Sequence, residues 1–417
     1  MDYKEEPLRV VQISMWDLTG HIFNGYDLSE SLNTDSRYRA SMLVLFKQSV
    51  SDLVRPICGP IGFVFLKITK YIERLLSIQN ILSPIYQYIR RNDVVRRADV
   101  IHLQLVHFNY FSLRMIQRLS KKKRVVWTLH DLWAVTGHCI HPLYAHCERW
   151  REGCGHCPDL SVPFPLFIDT TRFLRRHKAK IFRNLDIDIV VSSEFMLSVV
   201  RESGIFPEAR FFKIPFGANT KVLFPREKGR VRKDYGVPLG DFVVMFRVDQ
   251  GKFKGTPYIK EMLEILDPDG VTLISVGQKG ILSDFQSKFN IVEHEWIHSD
   301  ELLADLYNMA DMFLMPSRAE SFGLMAIEAM ACKTPVIAFR NSAIEEILSG
   351  GCGVLVDDES SAGLAAAVTG LREDVDMRSE MAERGYNKVS EHYSYDAWVG
   401  QIKELYEDKL KPVGNGG

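Results

Sequence analysis

The sequence predicts an α/β protein of two domains, and three observations carry that prediction. The chain has 417 residues, long for one core and comfortable for two of ordinary size. Short apolar runs bounded by turn residues alternate with helix-patterned stretches along it, the rhythm of strands joined by crossover helices. Residues 311–348 compress that rhythm into one unit: a strand ending at Pro316, a loop, a helix opened by Gly323, an apolar run from Pro335 to Phe339, and a helix beginning near Ala343.

Composition bounds the class. The chain is 46% hydrophobic and 25% charged, without low-complexity tracts or solenoid repeats, as expected of a soluble globular protein. No run approaches the roughly 18 apolar residues of a membrane span. The start, MDYKEEPLRVVQIS, lacks the basic and apolar regions of a signal peptide, so a cytoplasmic protein is expected. Its seven cysteines are then not expected to form structural disulfides. Net charge is −1, unevenly divided: residues 1–225 carry 31 basic and 21 acidic side chains, or +10, which leaves −11 for the remainder. The basic half would suit an anionic membrane surface or a phosphate-bearing acceptor, or be solvated charge without a partner. No nucleic-acid partner is expected.

Taken in order, residues 8–14 and 40–46 read as buried strands, with a loop containing Asn24 and Gly25 between them. The stretch 60–98 reads as helical, with Lys67, Lys70, Arg74 and Arg90-Arg91 interleaved among apolar residues. Such a helix either lies on a membrane or presents a basic outer face to water. Strands follow at 99–106 and 124–131; the second ends in His130-Asp131, at the edge where parallel sheets place ligands. His102, His107 and Asn109 follow a neighbouring strand and are weaker candidates for the same place.

Residues 136–160 then bring Cys139, Cys147, Cys154 and Cys157, spaced C-x7-C-x6-C-x2-C with four histidines interspersed. Four thiols so close suit a structural tetrahedral zinc site, an iron–sulfur cluster, or two disulfides or free thiols. A four-ligand site leaves no open position for catalysis, so its role would be to stiffen a loop. A basic helix (172–184), a strand (188–196) and a Pro/Gly-containing linker (211–225) lead to a strand at 241–250, the loop GKFKG, a strand at 271–277 and a helix at 299–311.

In the central unit two acids stand eight positions apart, Glu320 in the loop and Glu328 inside the helix. Glu328 has apolar neighbours and no base nearby in sequence, an arrangement that is costly unless something hydrogen-bonds to the carboxylate. A strand, a glycine turn and a helix N-terminus present unpaired N–H groups to an anion. Glu328 lies roughly 7 Å along the helix from that end, about the reach from a diphosphate to a ribose.

The string Pro316-Ser317, Glu320-Ser321-Phe322-Gly323-Leu324, Glu328-Ala329-Met330-Ala331 and Thr334-Pro335-Val336-Ile337-Ala338 resembles the E-x7-E signature of retaining GT-B glycosyltransferases, of the family 4-like kind that builds bacterial surface polysaccharides. The resemblance implies two Rossmann-like doubly wound domains facing across a cleft: an acceptor domain, 1–218, a donor domain, 219–390, and a last helix, 391–417, crossing back to the first. It implies a nucleoside-diphosphate sugar donor, UDP or GDP first. The acceptor would be a glycan or lipid-linked oligosaccharide met at the inner face of the membrane. No catalytic metal is expected, and Cys-rich insertions such as 136–160 occur in a subset of the family. Site residues carried over are His130 and Glu320 for the sugar, Arg247 and Lys254 for the phosphates (Lys252 as an alternative), and Glu328 for the ribose. Phe322, Gly323 and Leu324 open the helix, the base lies near Gly277 and Trp296-Ile297, and Asn24-Gly25 replaces a Gly-Gly pair. Lys333 and Asn341-Ser342-Ala343 also stand where the family carries glycines.

No carboxylate nucleophile is apparent, which leaves a same-face substitution assisted by the leaving phosphate. The alternatives are a metal-dependent GT-A enzyme using one of three Asp-x-Asp pairs, a sugar-nucleotide epimerase, and a degenerate GT-B homologue acting as a sugar-nucleotide-binding or transferase-partner scaffold. The sequence leaves the sugar, the nucleotide, the acceptor, the metal and the oligomeric state open.

Overall fold

The computed structural model describes residues 6–161 and 163–413. The first five residues of the segment read for a signal peptide, and 414–417 of the expected last helix, lie outside them. The chain divides into two units, one running up to Ile214 and resuming at Gln401, the other Pro215–Gly400. The sequence suggested divisions after 218 and after 390.

The first unit is built on β1 (Leu8–Trp16), β2 (Tyr38–Phe46), β3 (Val54–Pro56), β4 (Val100–Leu103), β5 (Arg124–Thr128), β6 (Asp188–Val191) and β7 (Arg210–Lys213). They form one sheet in the order β3-β2-β1-β4-β5-β6-β7, with every pairing parallel. Parallel strands covered on both faces must be apolar almost throughout. Accordingly, Ile13, Leu43, Leu103 and Ile189 are fully buried in one core, each contributing roughly 1.5–3 kcal/mol. From Gln401 the chain packs into this unit: Arg124 donates to the carbonyls of Leu405 and Tyr406 at 2.7 and 2.8 Å. Lys403 Nζ lies 3.0 Å from Asp35.

The stretch 60–98 is three helices, Pro60–Leu75, Tyr86–Arg91 and Asp93–Arg97, rather than one. The break has a local cause. The Glu73 carboxylate turns back and accepts the N–H groups of Asn80, Ile81 and Leu82 at 2.7–3.2 Å, and Ser77 and Asn80 take left-handed φ. β5 likewise stops at Thr128, short of His130.

The second unit repeats the plan with β8 (Phe242–Val248), β9 (Val271–Gly277), β10 (Asn290–Glu295), β11 (Met312–Met315), β12 (Val336–Phe339) and β13 (Gly353–Val356). Their order is β10-β9-β8-β11-β12-β13, again all parallel. Both sheets reverse their direction of winding once, between β1 and β4 and between β8 and β11. In doubly wound folds ligands bind beyond the strand ends at that reversal. Among the described residues no helix is long and apolar enough to cross a membrane.

Candidate functional site

The sequence-predicted residues fall into two sets, one in each unit. In the second unit the loops after β8 and β11, the two strands at the winding reversal, come together. Arg247 is the penultimate residue of β8. Its guanidinium lies 4.5 Å over the half-exposed Trp296 ring and its Nη2 is 3.1 Å from Asp249 Oδ2. Its Nε is buried with no hydrogen-bond partner among the described residues.

The loop from β8 closes on Gly255, which has φ +74° and approaches the chain so closely that a Cβ there would fall 1.9 Å from the Pro316 carbonyl oxygen. Arg318 N donates to Phe253 O at 2.8 Å across the same seam. This contact sets Lys254 opposite the second loop, where its Nζ donates to Glu320 Oε1 at 2.5 Å. Arg247, Lys254, Ser317, Glu320 and Met325 line one recess of about 240 Å³, open to solvent. The Glu320 loop is braced from behind: its N–H donates to Ser342 Oγ at 2.8 Å, and Asn341 Nδ2 donates to Ser317 O at 2.9 Å.

Gly323, at φ +108°, opens the helix Leu324–Ala331 and, having no side chain, caps none of its first-turn N–H groups. Glu328, the fifth residue of that helix, is only 5% exposed. Tyr307 donates its O–H to Glu328 Oε2 at 3.2 Å. Burial, with the Glu328 carboxylate adding to it, pushes the Tyr307 hydroxyl far above its ordinary value, so it serves only as a neutral donor. Phe322 is buried against Phe216 and Tyr393, and Leu324 is half-buried. Gly277 ends β9, and a Cβ there would fall 2.3 Å from Val248 O. Lys333 and Ser342 take left-handed φ of 57° and 45°. The backbone thus keeps the glycine conformation at both positions, at a cost of roughly 1 kcal/mol each.

In the first unit His130 heads a buried chain of hydrogen bonds. Its Nε2 is 2.8 Å from Gln104 Oε1, and Gln104 Nε2 donates to Gln12 Oε1 at 2.9 Å. Gln12 Nε2 donates to the Tyr406 hydroxyl at 3.0 Å. That hydroxyl lies 2.6 Å from His102 Nδ1, and His102 Nε2 lies 2.7 Å from Thr128 Oγ1. Since both amides point their nitrogens the same way, Tyr406 donates to His102, and His130 donates Nε2–H to Gln104. Burial holds His102 and His130 neutral, each pushed down to about 3. His107, also pushed down to about 3 by burial, meets Asp131 at 3.2 Å as a neutral donor, and burial raises Asp131 to about 6. Asn24 is turned inward, its amide donating to Asp17 O and Thr19 O at 2.6 and 2.9 Å. Gly25, at φ +96°, leaves room for the Gln12 side chain.

Cys139, Cys147, Cys154 and Cys157 are free thiols lining one small, solvent-open hollow. The Gly137 N–H donates to Cys154 Sγ at 3.2 Å, and residues 153–156 all take left-handed φ, folding the C-x2-C pair into a tight turn. Burial raises the thiols of Cys139, Cys154 and Cys157, the last to about 11. The donor types fit zinc, yet among the described residues no three His, Cys, Asp or Glu side chains converge closely enough to hold an ion.

Residues 230–388 match the family described as glycosyl transferases group 1. The match lies wholly within the second unit. Over a longer span the chain is 25% identical to the Escherichia coli (strain K12) protein WcaC, provisionally named a colanic acid biosynthesis glycosyl transferase. That alignment covers 71% of this chain and 75% of WcaC. It is 27% identical to D-inositol 3-phosphate glycosyltransferase of Corynebacterium glutamicum (strain R), over 75% of this chain and 74% of that one. Among solved structures, sucrose-phosphate synthase of Thermosynechococcus elongatus superposes with a TM-score of 0.70 at 19% identity, covering 97% and 99% of the two chains. The Anabaena protein HepE in complex with UDP gives 0.66 at 15% identity, covering 96% and 100%. The fold is the two-domain α/β fold of the GT-B enzymes, and the group 1 segment holds the recess between the β8 and β11 loops.

Several residues of these sites escaped the sequence reading, Gln12 and Tyr406 of the chain headed by His130 among them. Gln104 had a signal, a polar residue inside an apolar strand, which must find a partner when buried. Tyr307 and Asp249 had none. Lys178 looked like one more base of a basic helix, but it is 1% exposed and donates to Trp133 O and Thr136 O at 2.6 and 3.0 Å.

Proposed function

We propose that the protein is a retaining glycosyltransferase that moves a sugar from a nucleoside-diphosphate sugar to a glycan or lipid-linked glycan acceptor. The observation that carries the reading is the meeting of Arg247, Lys254 and Glu320 in one recess beside the uncapped helix that Gly323 opens, with buried Glu328 one turn further along. Two cations and a row of outward N–H groups suit a diphosphate, and they suit it better as charge builds on the leaving oxygen. Glu320, held against Lys254, would accept sugar hydroxyls, and the diphosphate would take over the lysine. Glu328 would take ribose hydroxyls. In the first unit His130, kept neutral and oriented by Gln104, is the further catalytic candidate.

With Glu320 given to the sugar hydroxyls and no other carboxylate lining the recess among the described residues, the leaving phosphate would assist a same-face substitution. UDP-sugars are the first donors to try, because HepE was solved with UDP. A structural zinc ion would require the four cysteines to draw closer together than they stand, and no step of transfer runs through it.

The test is thermal stability against UDP-, GDP-, ADP- and dTDP-sugars. One nucleotide family should raise the midpoint by several degrees, and Glu328→Ala should abolish the shift. Glu320→Ala should keep a nucleotide shift and lose transfer. A shift with the expected losses but no transfer to any acceptor would favour the scaffold reading, and no shift with any donor would overturn the site.

A further inference from the structure

The helix Pro60–Leu75 of the first unit carries its apolar face on the outside. Ile61, Val64, Phe65, Ile68, Tyr71 and Leu75 are each at least half exposed, from 50% to 72%. Eight of the 22 exposed large apolar side chains among the described residues fall between 61 and 76, so this is a patch rather than scatter. At 100° per residue these side chains span an arc of roughly 140°. Leu66, Gly62 and Glu73 face the protein on another arc. The patch continues beyond the helix. Ser77 Oγ accepts the N–H groups of Phe167 and Ile168 at 2.9 and 3.0 Å, which pins two more side chains, 63% and 65% exposed, beside the helix end.

Charge identifies the occupant. Lys67, Lys70 and Arg74 are exposed and share the flank next to the apolar arc. The helix has one acid, Glu73, which is 1% exposed and already taken by three backbone N–H groups. The outward surface of the helix is therefore apolar and purely cationic. Lys67 and Arg74 also lie 5.0 and 5.6 Å from the Phe63 and Phe167 rings, bases set alongside aromatic groups.

We propose that this face docks on an anionic lipid bilayer. The helix would lie in the plane of the surface, its apolar arc entering the headgroup boundary and its three cations meeting lipid phosphates. A second copy of the chain would bring six cations together across a two-fold contact, so the charge argues against it. The proposal concerns a surface of the first unit alone and stands or falls separately from the donor site.

The experiment is co-flotation of the full chain with vesicles of phosphatidylcholine, alone and mixed with phosphatidylglycerol. Binding is expected to the mixed vesicles and to weaken steeply with salt. Each cation near such a surface is worth about fivefold in partitioning, so Lys67→Gln/Lys70→Gln/Arg74→Gln should bind about a hundredfold less. Ile61→Ser/Phe65→Ser/Ile68→Ser should lose binding at every salt concentration, while Leu239→Ser, an exposed site on the other unit, should not. Circular dichroism melting checks that each variant is folded. Absence of vesicle binding, or binding indifferent to both triple variants, overturns the proposal. So does a wild-type dimer in sedimentation that the Ile61→Ser/Phe65→Ser/Ile68→Ser variant dissolves.

Discussion

Gly255 shows how much a single position can decide. Its φ of +74° would strain any side chain, and a Cβ would also strike the Pro316 carbonyl, which belongs to the loop that carries Glu320. Gly236 separates the two effects, because it has φ +69° but nothing within 4 Å of a Cβ. Gly236→Ala should therefore cost only the backbone strain, about 1 kcal/mol. Gly255→Ala should cost about 2–4 kcal/mol and reduce donor affinity at least tenfold by moving Lys254 away from Glu320. Denaturant unfolding with donor titration measures both; equal costs would mean that the close approach contributes nothing. That Gly255 follows a candidate phosphate lysine was legible in the sequence. That it touches Pro316, 61 positions later, was not.

At the scale of elements, the strands that the sequence revealed are the central ones. β1, β2, β4, β5, β6, β8, β9, β11 and β12 read as apolar runs because both faces are covered. The four that escaped, β3, β7, β10 and β13, are the four sheet edges. β10, Asn290–Glu295, has no buried residue, and β3 has three residues of which two are exposed. β3 and β10 have solvent along one side and residues to match, so their pattern is that of a loop; β7 and β13 keep apolar residues but run for only four positions each. The Cys-rich loop is a different case: its spacing was legible and its occupancy was not. The zinc reading expects about one zinc per chain by elemental analysis. It also expects the four thiols of the loop to become titratable only after a chelator is added. A zinc-free, folded protein whose four loop thiols react without a chelator would remove the metal from the account.

For the molecule as a whole, the buried histidines of the first unit set a pH dependence. His102, His107 and His130 are held near 3 in the fold against 6.5 for an ordinary histidine. Below about pH 6.5 the unfolded chain therefore takes up protons that the folded chain refuses, and stability falls with pH. Asp131 acts oppositely: raised to about 6 from 3.8, it binds its proton first in the fold and returns stability as pH falls through 6. Each of the three histidines loses about 2 kcal/mol between about pH 7 and pH 5 and Asp131 regains about 1, so a net loss near 4–5 kcal/mol is expected. Urea unfolding at the two pH values measures it, and His102→Asn should remove about 2 kcal/mol of the dependence. An unchanged stability would mean that these rings are not held neutral.

The sequence by itself determined the class of this protein. Length, alternation of strand and helix, and the spacing of Glu320, Gly323 and Glu328 are local or periodic properties, and burial in a parallel sheet writes them directly into residue types. Tertiary structure decided which groups meet. Lys254 reaches Glu320, Tyr307 reaches Glu328, Gln104 orients His130, and the apolar arc of residues 61–75 faces outward. Each of these depends on two segments, distant in the chain, being brought within a few ångströms or being left apart. A hydrophobic periodicity fixes the face of a helix but not whether protein or lipid covers it.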